Sequence, residues 1–287
     1  MKIEIENLTY TYPGNSIPAI ENVSLQIDSG ECCAFIGKNG SGKSTLCLAI
    51  MGIIPEQTSK NYSGKVLING MNPLSTDVFN ADNPLGLVHE NPRALFIGKN
   101  TVFEEVAIGL ENKGIPREQM IDSLHKSGIE FGIEKVFYNK LTEISGGEEQ
   151  KIVLACNSVI EPKLWIFDEP TTYLDSDAFI HLFEFISDLR KTGATVLIFD
   201  NRNLDYIADV TNRAFILHEG KLVAEGLSAD TLSASLLDDL QIGTSLFTQI
   251  AKKSVELGFC DPSISTPITF DQARMFFERY THRNSEN

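Results

Sequence analysis

Residues 31 to 54 constrain the chain more than any other stretch: an apolar run from Cys32 to Ile36, then Gly37-Lys38-Asn39-Gly40-Ser41-Gly42-Lys43-Ser44-Thr45, then a second apolar run to Ile54. This reads as a buried strand, a loop and a helix. The spacing of Gly37, Gly42, Lys43 and Ser44 fits the phosphate-binding pattern of glycine, four residues, Gly-Lys-Ser/Thr. Gly37, Gly40 and Gly42 let the backbone turn its N–H groups around a polyphosphate, and a helix starting near Lys43 aims the positive end of its dipole at the same anion. Lys43 is then expected to reach the β- and γ-phosphates. The Ser44 hydroxyl is placed as an Mg²⁺ ligand, because a hard cation that keeps several waters takes oxygen donors. Asn39, Ser41 and Thr45 complete the loop expected to line a bound nucleotide.

Composition narrows the class. The chain has 287 residues, enough for one large α/β domain or a domain with a smaller companion. Its five cysteines (Cys32, Cys33, Cys47, Cys156, Cys260) are odd in number and four lie in apolar segments, so reduced structural thiols are expected, and their spacing offers no paired zinc ligands. Thirty-nine acidic against 24 basic residues give a net charge of −15, which argues against non-specific nucleic-acid binding and favours a basic partner. The start Met-Lys-Ile-Glu-Ile-Glu-Asn has no apolar leader core, and no uncharged apolar run approaches about 18 residues. A soluble chain is expected, with any membrane role supplied by a partner.

Along the chain, residues 2 to 27 read as an antiparallel β layer before the glycine-rich loop: Lys2 to Glu6 alternates, and so do Val23, Leu25 and Ile27. Tyr10 and Tyr12 flank Thr11 and are expected on one face, where a ring could stack on a base or pack in the core. Gly64 to Gly70 and Leu85 to Val88 read as strands, the second leading into His89-Glu90-Asn91-Pro92. Residues 101 to 137 carry helical spacing, broken at Gly114-Ile115-Pro116 and again near Gly128 and Gly132. With the helix opened by Ser145-Gly146-Gly147, capped by Ser145, this makes a helical insert over about residues 92 to 158. Leu164 to Glu169 is a buried strand ending in two carboxylates, Asp168 and Glu169, which the carboxyl-end rule for parallel sheets turns toward the glycine-rich loop. A helix over 176 to 191, a strand from Ala194 to Phe199, a short helix near Leu204 to Ala208 and a hairpin from Arg213 to Glu225 close a domain of residues 1 to 225. Residues 226 to 287, with amphipathic segments at 245 to 257 and 269 to 280, read as a small C-terminal extension.

The glycine-rich loop, the Ile144-Ser145-Gly146-Gly147-Glu148 helix start and the Asp168-Glu169 strand end, in that order with a helical insert between, resemble an ATP-binding cassette ATPase. The resemblance implies a P-loop α/β fold of the cassette type, with an antiparallel β layer, a helical subdomain and a small C-terminal extension. The cassette signature consensus is Leu-Ser-Gly-Gly-Gln, and this chain keeps the serine and both glycines. In such a family Ser145 and the following N–H groups bind the γ-phosphate of ATP held by the opposite subunit of a dimer. Asp168 is similar to the residue that holds Mg²⁺ through water, and Glu169 to the general base that polarises the attacking water. Tyr173-Leu174-Asp175 resembles the loop between subunits, with Asp175 its key residue, and Tyr12 falls where the family stacks an aromatic on adenine.

Asn91-Pro92, the segment from Thr101 to Asn112, and Leu246 to Gly258 with Thr269 to Ala273 narrow the resemblance to the ATPase subunit of energy-coupling factor transporters. That family implies ATP hydrolysis driving import of a vitamin or metal ion and a second cassette subunit as partner. It also implies dimerisation through the extension, a transmembrane coupling protein, a substrate-binding membrane protein, and a place at the cytoplasmic face of the membrane. Glu104 and Glu105 would line the groove that receives basic helices of the coupling protein. Two departures bear on catalysis: Glu90 stands where the family has a glutamine near Mg²⁺ and water, and Asn201 where it has the switch histidine. Together they imply a weakened hydrolytic site in one member of a heterodimer. The alternative is a cassette ATPase without a transporter, acting on nucleic acid or ribosomes; the negative charge and the short helical insert weigh against it.

Overall fold

Alternation in the first strand sets the layering: Ile3, Ile5, Leu8 and Tyr10 are buried in one core, with a register shift at the left-handed Asn7 between Ile5 and Leu8. The structure, a computed structural model, describes residues 1–54, 61–75, 78–80, 82–172, 174–232, 235–259 and 267–281. The elements β1 (Ile3–Tyr10), β2 (Ile20–Ile27), β3 (Cys32–Ile36), α1 (Lys43–Ile50) and β4 (Tyr62–Ile68) come first. β1 lies at the centre of a three-stranded antiparallel sheet of order β2-β1-β4. The expected β layer is therefore present, but one of its strands follows the P-loop rather than preceding it.

The chain continues through β5 (Leu85–His89), α2 (Val102–Asn112), α3 (Arg117–Phe131), α4 (Gly146–Ser158) and β6 (Leu164–Asp168). Then come α5 (Ser176–Thr192), β7 (Thr195–Phe199), α6 (Leu204–Val210), β8 (Arg213–His218) and β9 (Lys221–Leu227). A second sheet has the order β5-β6-β7-β3-β8-β9, parallel except for the β8–β9 hairpin. β3 and β7 are buried on both faces, which is why their sequences are continuous apolar runs. Phe35 stacks between Phe199 and Phe215 of the flanking strands, with centroids 4.4 and 4.9 Å apart. Each such pair contributes about 0.5–1.5 kcal/mol beyond area burial. Cys33 and Phe35 face α1 and the antiparallel sheet, while Cys32, Ala34 and Ile36 face α4, α5 and α6. One strand thereby joins two cores.

A third core belongs to the helical insert, where Val102, Val106, Leu124, Phe137 and Ile152 pack together. Gly128 does not break a helix as expected: it lies inside α3, where an added Cβ would meet the Phe137 ring at 2.5 Å. The break is at Gly132, left-handed at φ 64. The domain boundary expected after residue 225 falls inside β9, which pairs with β8 through Leu227 because Gly226 and Leu227 complete the hairpin register. Past it, α7 (Ser228–Thr231), α8 (Leu236–Asp239), α9 (Leu246–Glu256) and α10 (Phe270–Thr281) form the extension. It is tied to α6, where Asp205 accepts the N–H groups of Leu246 and Phe247, and Asp209 that of Phe270. Cys32, Cys33, Cys47 and Cys156 are free thiols, as expected. Cys260, also expected to be a reduced thiol, lies outside the described residues, as does Tyr173.

Candidate nucleotide site

Because β3, β5, β6 and β7 run parallel in one sheet, their carboxyl ends gather at one edge. That edge carries the loop after β3, Glu90 after β5, Asp168-Glu169 on and after β6, and Asp200-Asn201 after β7. Gly42 is left-handed at φ 103, and a Cβ there would lie 2.6 Å from the Ala19 carbonyl, so only glycine fits. Gly37 answers a different need: a Cβ would collide with the Leu217 carbonyl and the Ser41 hydroxyl. A cavity of about 360 Å³ opens over the loop, lined by Tyr12, Ala19, Asn39, Gly40, Gly42, Lys43, Ser44, Thr45 and Glu169. Ser41, also expected around the nucleotide, is buried behind the loop, and its hydroxyl has no hydrogen-bond partner among the described residues.

Lys43 is buried, and its ammonium donates to the carbonyls of Gly37 at 2.6 Å and Lys38 at 3.3 Å. Burial lowers its pKa, while the charges of Glu169, Asp200 and Asp168 oppose that shift. The Tyr12 hydroxyl sits 3.3 Å from Thr45 Oγ1, and its ring meets Tyr10 edge-on at 5.0 Å. The two tyrosines have parted: Tyr10 is buried in the core and Tyr12 lies past the strand end at the cavity wall.

Burial raises the Asp168 carboxyl; His89 and Lys43 pull it down, Glu169 and Glu90 push it up. Its Oδ1 is buried and accepts no hydrogen bond among the described residues. An orphaned carboxylate oxygen on the sheet edge that also carries the exposed Ser44 is what a water-rich divalent cation would satisfy. Among the described residues no three His, Cys, Asp or Glu side chains are arranged to hold a metal by themselves, so phosphate oxygens and water would have to complete the shell. Glu169 is held left-handed at φ 47 with its N–H on the Phe199 carbonyl, a conformation costing a non-glycine residue on the order of 1 kcal/mol, and its side chain reaches the cavity wall.

Asn201 donates from Nδ2 to Asn39 Oδ1 at 3.3 Å, which brings the residue expected at the switch position onto the glycine-rich loop. Asp200, to which the sequence reading gave no role, organises this turn. It is buried, accepts the N–H groups of Asn201 and Arg202 at 2.7 and 3.0 Å, and takes the Thr171 hydroxyl at 2.8 Å. Its position as a carboxylate at the end of an apolar strand was the available signal.

Ser145, Gly146 and Gly147 do not line the cavity over their own P-loop; they sit at the start of α4. Ser145 and Gly146 are exposed there. Asp175 caps α5 by accepting the Ala178 N–H at 2.8 Å, and its Oδ2 would lie 3.7 Å from a Cβ at Gly147. The first turn of α4 is bonded to both neighbouring loops: Glu149, buried, pairs with Arg93 beyond Glu90, and Gln150 donates to the Pro170 carbonyl at 3.3 Å.

Glu105 does line a cleft of about 190 Å³, with Leu95, Phe96, Ile108 and Asn157, but its carboxylate is not offered to basic helices as expected. It is 4% exposed, and its carboxylate accepts the N–H groups of Ile97, Gly98 and Lys99 at 2.5, 3.1 and 2.9 Å, because that loop folds back over the start of α2. Glu104 is exposed and closes a capping box with Thr101.

The family model described as "ABC transporter" matches residues 20–172, just over half of the chain. An ABC transporter ATP-binding protein of Treponema denticola is 33% identical over 77% of this chain and 45% of its own length; this chain spans under half the length of that relative. The energy-coupling factor transporter ATP-binding protein EcfA of Methanosarcina acetivorans is 32% identical over 96% of this chain and 99% of its own. Among solved structures, cbiO1 from Clostridium perfringens, described as part of the ABC transporter complex cbiONQ, superposes with a TM-score of 0.67 at 23% identity, covering 89% of this chain and 95% of that one. At that identity the likeness speaks for the fold. Among the described residues no helix is long and apolar enough to cross a membrane. With the P-loop, the β6 carboxylates and the α4 helix start arranged as above, the chain belongs to the family of ATP-binding cassette transporter ATPases.

Proposed function

We propose that this chain is the ATP-binding and hydrolysing subunit of an energy-coupling factor importer for a vitamin or metal ion. In this reading it is the weaker-hydrolysing member of a pair with a different cassette subunit. The carrying observation is that the P-loop cavity contains Lys43, Ser44 and Glu169 but none of Ser145, Gly146 or Gly147, which supports a second cassette completing each site. The near full-length likeness to a protein named as an energy-coupling factor subunit supports the transporter class. Lys43 and the P-loop amides would bind the β- and γ-phosphates, and Tyr12 the adenine face. Ser44 and, through water, Asp168 would hold Mg²⁺, whose charge would offset that of the phosphates. Glu169 would polarise water, and Glu90 and Asn201 would stand beside it as imperfect replacements. Asp175 and the C-terminal extension would meet the partner cassette. With the Glu105 carboxylate taken up by its own loop, Glu104 would be the acidic contact for a coupling protein at the cytoplasmic face of the membrane, with a substrate-binding membrane protein beyond it.

Affinity purification of the full chain from its own membranes, followed by mass spectrometry, tests this. A second cassette protein and two membrane proteins in constant ratio are expected; recovery with ribosomes or nucleic acid instead would sink the reading.

A further inference from the structure

The family consensus places a glutamine where this chain has Glu148, and the structure shows what the carboxylate does. Ser145 donates twice to the same oxygen, Glu148 Oε2: its hydroxyl at 2.6 Å and its backbone N–H at 2.7 Å. These hydrogen bonds hold the Glu148 carboxyl below the usual range, so it is ionised at neutral pH. A hydroxyl has one proton to give. While Glu148 takes it, Ser145 has none for a phosphate. Glu149, the next residue, is buried and already paired with Arg93, so it does not compete for Ser145. Nothing else among the described residues covers the place: Ser145 and Gly146 are exposed, and a Cβ at Gly146 would have no atom within 4 Å.

We propose that Glu148 is a positioning residue that occupies the signature hydroxyl, so that this chain's Ser145 engages a γ-phosphate on the partner cassette only after the carboxylate is displaced. This rests on reading Ser145 to Gly147 as a signature. A glutamine there would keep an acceptor for the Ser145 N–H but, being neutral, would hold the hydroxyl less strongly than the carboxylate does. The carboxylate therefore attenuates the composite site to which this chain lends its signature. It acts on the site to which α4 contributes, whereas Asn201 and Glu90 act on this chain's own P-loop site.

The test uses the assembly purified through the full chain. Glu148→Gln and Glu148→Met, the second an unbranched apolar side chain of similar length that also suits a helix, should each raise kcat/KM for MgATP about tenfold, the scale of one charge-assisted hydrogen bond. In a Ser145→Ala background the same changes should alter turnover by less than about twofold, since the cycle then contains no hydroxyl to release. Ser145 and Glu148 also form a capping box, and the loss of a purely structural cap would lower turnover or leave it unchanged, not raise it. A gain in neither variant, a gain with glutamine alone, or an equal gain without the Ser145 hydroxyl overturns the proposal. Ser145→Ala with Glu148 kept separates the two readings. If it turns over MgATP as the parent does, the signature reading fails and this proposal with it; if it slows turnover while Glu148→Gln gains nothing, only the role of Glu148 fails.

Discussion

The Lys43 ammonium donates to the Gly37 carbonyl at 2.6 Å, so the loop holds its own lysine where, in the proposed reading, a phosphate would take it. The contact keeps a buried cation satisfied in the free protein at a place where burial alone disfavours its charge. Nucleotide binding must exchange carbonyl oxygens for phosphate oxygens, and the gain comes from the full negative charge. Lys43→Ala should therefore lower MgATP affinity by about a hundredfold, the upper range for hydrogen bonds to charged groups. Isothermal titration of the variant against the parent checks this, and equal affinities would remove Lys43 from the site.

Glu104 and Glu105 are adjacent in sequence and opposite in behaviour. Removing the Glu105 carboxylate strands three loop N–H groups, so Glu105→Ala should cost on the order of 3 kcal/mol of stability in denaturant titration. Glu104→Lys loses only a helix-cap contact and should stay within about 1 kcal/mol of the parent. If Glu104 meets basic helices of a coupling protein, its reversal should still release the membrane partner in co-purification; full retention would move the docking contact elsewhere.

Much of the site was legible because the chemistry sits at strand ends: an apolar run followed by glycines and lysine, or by paired carboxylates, declares both the strand and the edge it ends on. What stayed hidden depends on chain segments returning from far away. Glu105 shows helical spacing whichever way it points, and only the fold of residues 97–99 over α2 buries it. Gly128 looked like a helix break because glycine is a poor helix former, yet the Phe137 ring needs that space. The claim on Ser145 by Glu148 is a matter of which oxygen a hydroxyl faces. A spacing of three residues permits that contact but does not require it.

The extension should hold more firmly in mild acid. Burial first, then the charges of Asp271 and Asp205, push the Asp209 carboxyl up to about 6 from an ordinary 3.8, although the Phe270 N–H pulls the other way. The folded chain then binds more protons here than the unfolded chain, so stability from this group is full below about pH 4 and is lost as pH rises to about 6. Amide exchange in α10, corrected for intrinsic rates, should slow between about pH 7 and pH 5, and Asp209→Asn should flatten that slope. Faster exchange in acid, with the parent and Asp209→Asn alike, would count against Asp209.

Asymmetry between two cassette subunits gives the sharpest outcome. Asn201 reaches Asn39 with a neutral amide, where a switch histidine would bring a titratable ring to the γ-phosphate, and Glu90 adds negative charge near Asp168. The transition state over this chain's own P-loop should therefore lack one positioned polar contact, a loss worth about 2.7–4 kcal/mol or on the order of a hundredfold in rate. Its signature keeps Ser145, Gly146 and Gly147, and Glu148 tempers their contribution without removing it. Most turnover in the assembly should then occur at the partner's P-loop against this chain's α4. Glu169→Gln should slow the whole complex by less than about tenfold, whereas Ser145→Arg, which plants a bulky side chain where the γ-phosphate must sit, should slow it by about a hundredfold or more. Steady-state ATPase rates of the two variants decide the matter. The reverse order of severity, or brisk hydrolysis by this chain paired only with itself, would mean that Asn201 and Glu90 suffice and that both sites turn over alike.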